Sequence, residues 1–592
     1  MGDAHFRCQR VESAMAKVSR RNALTSIVGL TASTAMAAAP QAVDAAEQLG
    51  STMDPDTMTS DKIAAAATVA ARSFTADERN QAIKELTGTR KNVIAVRSAT
   101  KPQGKAPAIQ FRVSAAAAVP AAGIRVKPKT YRRTKGSPDN KTLARATVGQ
   151  LAKWLRDGKT TSVALTELAI TRCETYGPRL LCIVNMRADA ARREAIVADE
   201  ELAKGIDRGP LHGIPYGIKD LFNTADIPTT YGAPPFRDQQ FDTDGTVVKK
   251  LRDAGAILVA KLSLGELAMG DVWFGGTTRT PWDTSKGSSG SSAGSASAVA
   301  ACLLPFAIGT ETYGSITSPC TVCGTTGLRP TFGRVSRSGA MALSWTMDKI
   351  GPITRSVDDA ATVFSAICGA DPDDRTTVDA GFRWDATAGT KGLKIGFDTA
   401  AFKRADKSQQ AVLDFFKSQG AELIPVTLPA SEPAFAALPD IIIGAEGAAA
   451  FSDLISDGRL PKLVQQDDWN WPNTFRIGSL IPAADYISAM QVRAVLQERM
   501  DVALRGIDVY ITPGLAVPSI TWTNLTGHPT VITRCGMSDK GMPEMIEFVG
   551  NLWREDAALR AAYAWEQHRG NDHGWPDIDA APMTPPALQK EG

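Results

Sequence analysis

The chain has 592 residues, 43% of them hydrophobic, enough for one large domain or several ordinary ones around a substantial core. Its 66 basic and 63 acidic residues leave a formal charge of +3, which excludes a global pull toward nucleic acid or an anionic membrane. No run of about 18 apolar residues is free of polar interruption, so no membrane span is expected.

Near the start, Ser19-Arg20-Arg21-Asn22-Ala23-Leu24 precedes a mildly apolar run over residues 23–36 and small-residue sites such as Ala35-Met36-Ala37. That is the order of a secretory signal, and the paired arginines are similar to twin-arginine export signals. Residues 1–39 are therefore expected to be a signal peptide, and the protein to be periplasmic or secreted. Asp3 and Glu12 speak against a mitochondrial transit peptide. Cys8 would leave with the signal, and seven irregularly spaced cysteines make no disulfide framework. Cys320 and Cys323 form a C-x-x-C with no second ligand pair nearby, so buried thiols are expected rather than zinc.

Residues 40–142 read as a helical extension and a basic linker. Thr75-Ala-Asp-Glu78 is a capping box that starts a helix reaching residues 86–88, with a weaker Ala-rich helix before it. Arg125, Lys127, Lys129, Arg132, Arg133 and Lys135 follow within a dozen residues, with Tyr131 the one interleaved aromatic. Such a run predicts a solvated linker, not a nucleic-acid surface. The main domain is expected over residues 143–570, followed by a Pro-rich tail at 571–592.

Within that domain, Thr147-Val-Gly-Gln150 is another capping box, with Val148, Leu151 and Leu155 on one helical face and Gly158 closing the helix. Another helix starts over 163–172, and further helices are predicted at 244–255 and 357–368. Short strands are predicted near 256–260, 393–397, 508–512 and 530–533. This alternation argues an α/β fold with a central twisted sheet covered by helices.

Two stretches carry chemistry. In Gly209-Pro-Leu-His-Gly-Ile-Pro-Tyr-Gly-Ile-Lys-Asp220, Ile214, Tyr216 and Ile218 alternate on one strand face and place Lys219 on the other, at the strand's end. Gly213, Pro215 and Gly217 crowd that segment, favouring a buried lysine. Burial lowers a lysine's pKa, and a neutral amine can take a proton from a hydroxyl.

The second stretch, residues 286–315, begins K-G-S-S-G-S-S-A-G-S, continues as an Ala-rich helix over 295–304 and ends in Tyr313-Gly314-Ser315. A flexible linker would not run directly into apolar core sequence, and the G-K-[ST] ending of a phosphate-binding loop is missing. Serine chemistry remains. Gly290-Ser-Ser-Ala-Gly294 also satisfies G-x-S-x-G, the pattern of an α/β-hydrolase esterase with Ser292 as nucleophile and His528 or His568 as base.

Four motifs taken in order, G-I-P-Y-G-I-K-D, G-S-S-A-G-S-A-S-A-V-A-A, G-T-E-T-Y-G-S-I and G-L-R-P-T-F-G-R-V-S, resemble the amidase signature family from residue 143 to 567. The resemblance implies a mostly parallel, mixed, twisted sheet between helices. It implies hydrolysis of a carboxamide or related ester, with no metal or organic cofactor. By position it implies Ser315 as nucleophile, Ser291 after a cis peptide bond as proton relay, and Lys219 as base. Counting back from Ala298-Val299-Ala300 and forward 24 residues to Ser315 selects Ser291 over Ser288. The backbone N–H groups of Thr312, Tyr313, Gly314 and Ser315 would face the oxyanion.

Two departures from the family pattern stand out. Tyr313 occupies a position where Gly is frequent, and Thr317 one where Arg often follows the nucleophile, which would leave Glu311 without a partner. The implied partner is a small-molecule amide, with no nucleic acid, and a homo-oligomer is compatible with the sequence. Trp273, Phe274, Trp345, Met269 and Met347 flank the motifs as pocket or core residues. A non-catalytic binding protein would not need Lys219, Ser291 and Ser315. The amide-releasing subunit of a tRNA-dependent amidotransferase, of the same family but cytoplasmic, is the third reading, against which the export signal speaks.

Overall fold

Eleven short strands carry the architecture: β1 (Ile183–Met186), β2 (Pro215–Lys219), β3 (Ile257–Leu262), β4 (Phe306–Glu311), β5 (Thr326–Arg329), β6 (Lys349–Thr354), β7 (Ile395–Asp398), β8 (Ile424–Val426), β9 (Val509–Pro513), β10 (Thr530–Met537) and β11 (Pro543–Gly550). They form one mixed sheet in the order β8-β7-β9-β11-β10-β5-β6-β4-β2-β3-β1. The computed structural model describes residues 57–99, 113, 118–132, 136–570 and 574–579. The expected signal peptide, with Arg20, Arg21 and Cys8, lies outside the described residues.

The sheet is mixed and covered by helices, as expected, but the expected predominance of parallel pairing is corrected. Within this sheet, among the described residues, four ladders are parallel (β2/β3, β2/β4, β7/β8, β7/β9) and six are antiparallel. Connection length explains part of this. Residues 538–542 between β10 and β11 are too few for the crossover that a parallel pair requires. The crossover helix Thr246–Asp253, in contrast, returns the chain from β2 to β3 in parallel. Because β2 lies between β3 and β4, all five of its residues are buried.

Helix Val357–Ile367 packs on β6, and Glu555–Arg569 on β10 and β11. The Thr75/Glu78 capping box forms reciprocally and opens helix Ala76–Ser98, ten residues longer than expected. Its C-terminal half buries Val93 and Val96 among Leu438, Ile441 and Leu496. Part of the basic run is a strand, Ile124–Lys127, paired in parallel with Phe382–Asp385, with Lys127 Nζ 3.2 Å from Asp385. Past residue 570, Ile578 is buried in the same apolar cluster as Cys173 and Leu303.

The cysteines of the described residues, Cys320 and Cys323 included, are free thiols buried in the protein. One helical stretch, Pro433–Ala450, is long and apolar enough to cross a membrane, but 61% of it is buried inside the protein.

Candidate active site

Lys219 ends β2 with no solvent exposure. Its Nζ lies 2.8 Å from Ser291 Oγ, 2.9 Å from Thr310 Oγ1 and 3.1 Å from Ser292 Oγ. Among the described residues no carboxylate is within ion-pair distance of it. Burial therefore pushes its pKa down to about 7, against the opposing fields of Asp348 and Glu311. The next residue, Asp220, cannot serve as its counter-ion. Asp220 Oδ1 lies 3.0 Å from Lys261 Nζ, in a second buried pair the sequence reading missed.

The Gly/Ser stretch wraps over this lysine. The Gly290–Ser291 peptide bond is cis, and a Cβ at residue 290 would fall 1.7 Å from the Gly270 carbonyl oxygen, so the loop needs glycine there. The chain then enters helix Ala293–Ala300. Ser288 Oγ donates to Ser289 O, and it is Ser291 Oγ that meets the lysine.

Ser292 does something else, which weighs against the esterase reading. Its Oγ donates to Thr310 O (3.0 Å) and accepts from Thr310 N–H (3.1 Å) and Lys219. The residue has no solvent exposure, so its hydroxyl joins the loop to β4 and is closed to substrate. Neither candidate histidine is bonded to it. His528 Nδ1 pairs with Thr526 Oγ1 at 2.7 Å, with burial pushing its pKa down to about 3. His568 stacks on Phe415, 4.4 Å between ring centroids.

Ser315 is 9% exposed. Its carbonyl accepts the Ser292 N–H at 3.1 Å, which sets Ser315 beside Ser291. No hydrogen bond joins Ser291 Oγ to Ser315 Oγ among the described residues. Within the turn, the left-handed backbone angle falls on Gly314 (φ +92°) and not on Tyr313, so a side chain at 313 is tolerated. The N–H groups of Thr312, Tyr313, Gly314 and Ser315 have no hydrogen-bond partner among the described residues. Four consecutive donors are thus free to bind an anionic oxygen.

Three contacts fix this turn. Glu311 Oε2 accepts the N–H groups of Ile316 and Thr317, both at 2.9 Å, at the start of helix Thr317–Cys323. Thr312 Oγ1 donates to Asp348 Oδ1 at 2.6 Å. Tyr313 OH lies 2.8 Å from Thr521 Oγ1 on helix Ser519–Thr526.

The expectation that Glu311 lacks a partner is corrected. Arg329 of the G-L-R-P motif reaches it from β5 at 2.6 Å, and Asn524 Nδ2 donates to it at 2.9 Å. Burial would raise the Glu311 pKa, but the guanidinium holds it down to about 2. Arg329 has a local signal, its place in the G-L-R-P motif. Thr521 and Asn524, about 210 residues from Glu311, carry no local signal.

The Tyr313 tether has a measurable role. Tyr313→Phe and Thr521→Val should each lower kcat by about 3- to 10-fold with KM nearly unchanged, the worth of one ordinary hydrogen bond felt in the oxyanion turn. The double variant should be no worse than either alone. Additive losses in that cycle would mean that the two hydroxyls act independently.

A cavity of about 210 Å³ adjoins the turn, lined by Thr310, Thr312, Met341, Leu343, Trp345 and Ile350 among others. Of the flanking aromatic and methionine side chains, Trp345 reaches it. Met347 is fully buried core, and Trp273 is buried with its indole N–H donated to Leu181 O. Phe274 lies under the Arg237 guanidinium, and Met269 packs on the core.

Residues 164–559 match the Amidase family. A glutamyl-tRNA(Gln) amidotransferase subunit of Synechococcus elongatus is 32% identical over 474 residues, 71% of this chain and 98% of that one. The native peptide amidase of Stenotrophomonas maltophilia superimposes with a TM-score of 0.64 at 31% identity, covering 72% of this chain and 97% of that one. The glutamyl-tRNA(Gln) amidotransferase subunit of Thermotoga maritima does so with a TM-score of 0.60 at 26% identity, covering 73% and 96%. With its motifs on one contiguous site and a match spanning most of its length, the chain belongs to the Amidase family and is a hydrolase acting on amides.

Proposed function

We propose that this amidase works through an acyl-enzyme on Ser315, with Ser291 as proton relay and Lys219 as base. The observation that carries the reading is a buried lysine surrounded by hydroxyls instead of carboxylates, 2.8 Å from Ser291 Oγ and poised to lose its proton near neutral pH.

Neutral Lys219 takes the Ser291 hydroxyl proton as Ser291 takes that of Ser315, and Ser315 Oγ attacks the carbonyl carbon. The carbonyl oxygen gains negative charge against the free N–H groups at 312–315, each donor typically worth about 3–4 kcal/mol. The C–N bond then breaks, and the amine leaves with the proton returned through Ser291. Water repeats the sequence on the Ser315 ester and releases the acid. The relay needs a Ser291–Ser315 hydrogen bond, a contact that commonly tightens only when substrate binds.

A fluorophosphonate should label the protein once, on Ser315, and preincubation with an amide substrate should slow the labelling. An adduct mapped to Ser292 would defeat the assignment. The second reading, an amidotransferase subunit, draws support from relatives of that name. It is separated by turnover of the isolated chain, since a free-standing amidohydrolase cleaves amides without a partner subunit.

A further inference from the structure

The cavity beside the oxyanion turn is built for one kind of substituent. Thr310 and Thr312 belong to its wall. Thr310 Oγ1 is 2.9 Å from Lys219 Nζ, and Thr312 begins the turn that would hold the carbonyl oxygen. A group attached to the scissile carbonyl therefore reaches this space directly. The leaving-amine side must stay open for the water that later cleaves the acyl-enzyme, so this recess, whose apolar wall is Leu221, Met341, Leu343, Trp345 and Ile350, suits the part of the substrate that remains.

Size and charge narrow the choice. A cavity of about 150 Å³ accommodates benzene, so about 210 Å³ is room for one six-membered ring with a short spacer. The ionic groups in the wall are already engaged. Arg337 Nε pairs with Asp374 at 3.1 Å, and its Nη1 donates to Trp345 O. Asp348 accepts from Thr312 Oγ1 and from the N–H groups of Leu343 and Ser344. No cation is left to receive a carboxylate, and the exposed Asp373 at the edge would repel one.

Trp345 is 48% exposed, an indole at the rim with a face to offer. The loop that carries it is held in place beforehand. Buried Glu446 accepts from Ser344 Oγ (2.7 Å), Thr346 N–H (3.1 Å) and Thr346 Oγ1 (2.7 Å).

We propose that the substrates are amides whose carbonyl carbon bears a single uncharged apolar group about the size of one ring, seated in this cavity against Trp345. The proposal rests on the amidohydrolase reading above.

The test compares phenylacetamide, acetamide, 2-naphthylacetamide and succinamate. Phenylacetamide should exceed acetamide in kcat/KM by about 10- to 100-fold, the worth of burying one phenyl group. The naphthyl and carboxylate-bearing amides should fall below phenylacetamide by tenfold or more. Ala342 also lines the cavity, so Trp345→Ala and Ala342→Phe should both shrink the phenylacetamide-to-acetamide ratio. A ratio near one in the wild type, a preference for succinamate, or a ratio unmoved by both variants would overturn the proposal.

Calorimetric binding of phenylacetamide and acetamide to the Ser315→Ala protein repeats the comparison without turnover. Equal binding there alongside wild-type hydrolysis discards the cavity assignment and leaves the hydrolase. Ring-selective binding with no hydrolysis by the wild type does the reverse.

Discussion

Replacing Lys219 by Ala should lower kcat/KM by about 10²- to 10⁴-fold, the usual range for a general base, and should flatten the acidic limb of the pH–rate profile. In the wild type that limb should be centred near pH 7, because burial has brought the lysine down to about 7 and only the neutral amine can accept a proton. His212→Ala should keep the limb, since His212 engages Glu201 and Arg208 away from the lysine. A limb that persisted in Lys219→Ala would assign it to another group.

The same lysine makes a separable prediction about stability. Its folded-state pKa lies below the unfolded value of 10.5, so between about pH 7 and 10.5 the unfolded chain binds a proton that the folded protein does not. Stability should therefore rise with pH across that window, by roughly 5 kcal/mol in total. Lys219→Met should lose activity yet gain stability at neutral pH, with a weaker pH dependence of the urea midpoint between pH 7 and 9. A merely structural lysine would give the opposite sign.

Much of this site was legible because its signals are local. Alternation in Ile214, Tyr216 and Ile218 placed Lys219 at a strand end, and crowding by small residues marked the strand as buried. The spacing implied by the family resemblance selected Ser291 over Ser288, which the hydrogen bonds also separate. What escaped was set by partners distant in the chain. Arg329 faces Glu311 only because β5 and β4 flank β6. Thr521 and Asn524 reach the turn because they lie three residues apart on one helix. Ser292 fits a nucleophile pattern locally, and only a contact across the fold, with Thr310, commits its hydroxyl. The extension helix continued past Gly88 because Val93 and Val96 find a tertiary surface, which outweighs the local cost of an interior glycine.

The largest effect on stability is expected at Glu311. Glu311→Ala should cost about 3–5 kcal/mol, because it leaves the Arg329 guanidinium, which is fully buried, without its counter-charge. It also strips Ile316 and Thr317 N–H of their acceptor at the helix start. Activity should fall with it, since the same carboxylate fixes the turn that carries Ser315. Glu311→Gln is the sharper probe. Its carbonyl oxygen can serve either Arg329 and Asn524 or the two backbone N–H groups, but its NH₂ then confronts donors on the other side. Because Glu311 is held down to about 2 from an ordinary 4.5, the ionised pair contributes stability that is fully present above pH 4.5 and lost as pH falls toward 2. That contribution is about 3 kcal/mol. Thermal midpoints should therefore drop more steeply between pH 5 and 3 in the wild type than in Glu311→Gln. Removing both charges in Glu311→Gln/Arg329→Met should recover part of the stability lost by Glu311→Gln alone, since the stranded cation is gone. If the double variant were less stable than the single by the full worth of a second lesion, the two residues would not be acting as a pair, and the turn would owe its order to the Thr312 and Tyr313 contacts instead.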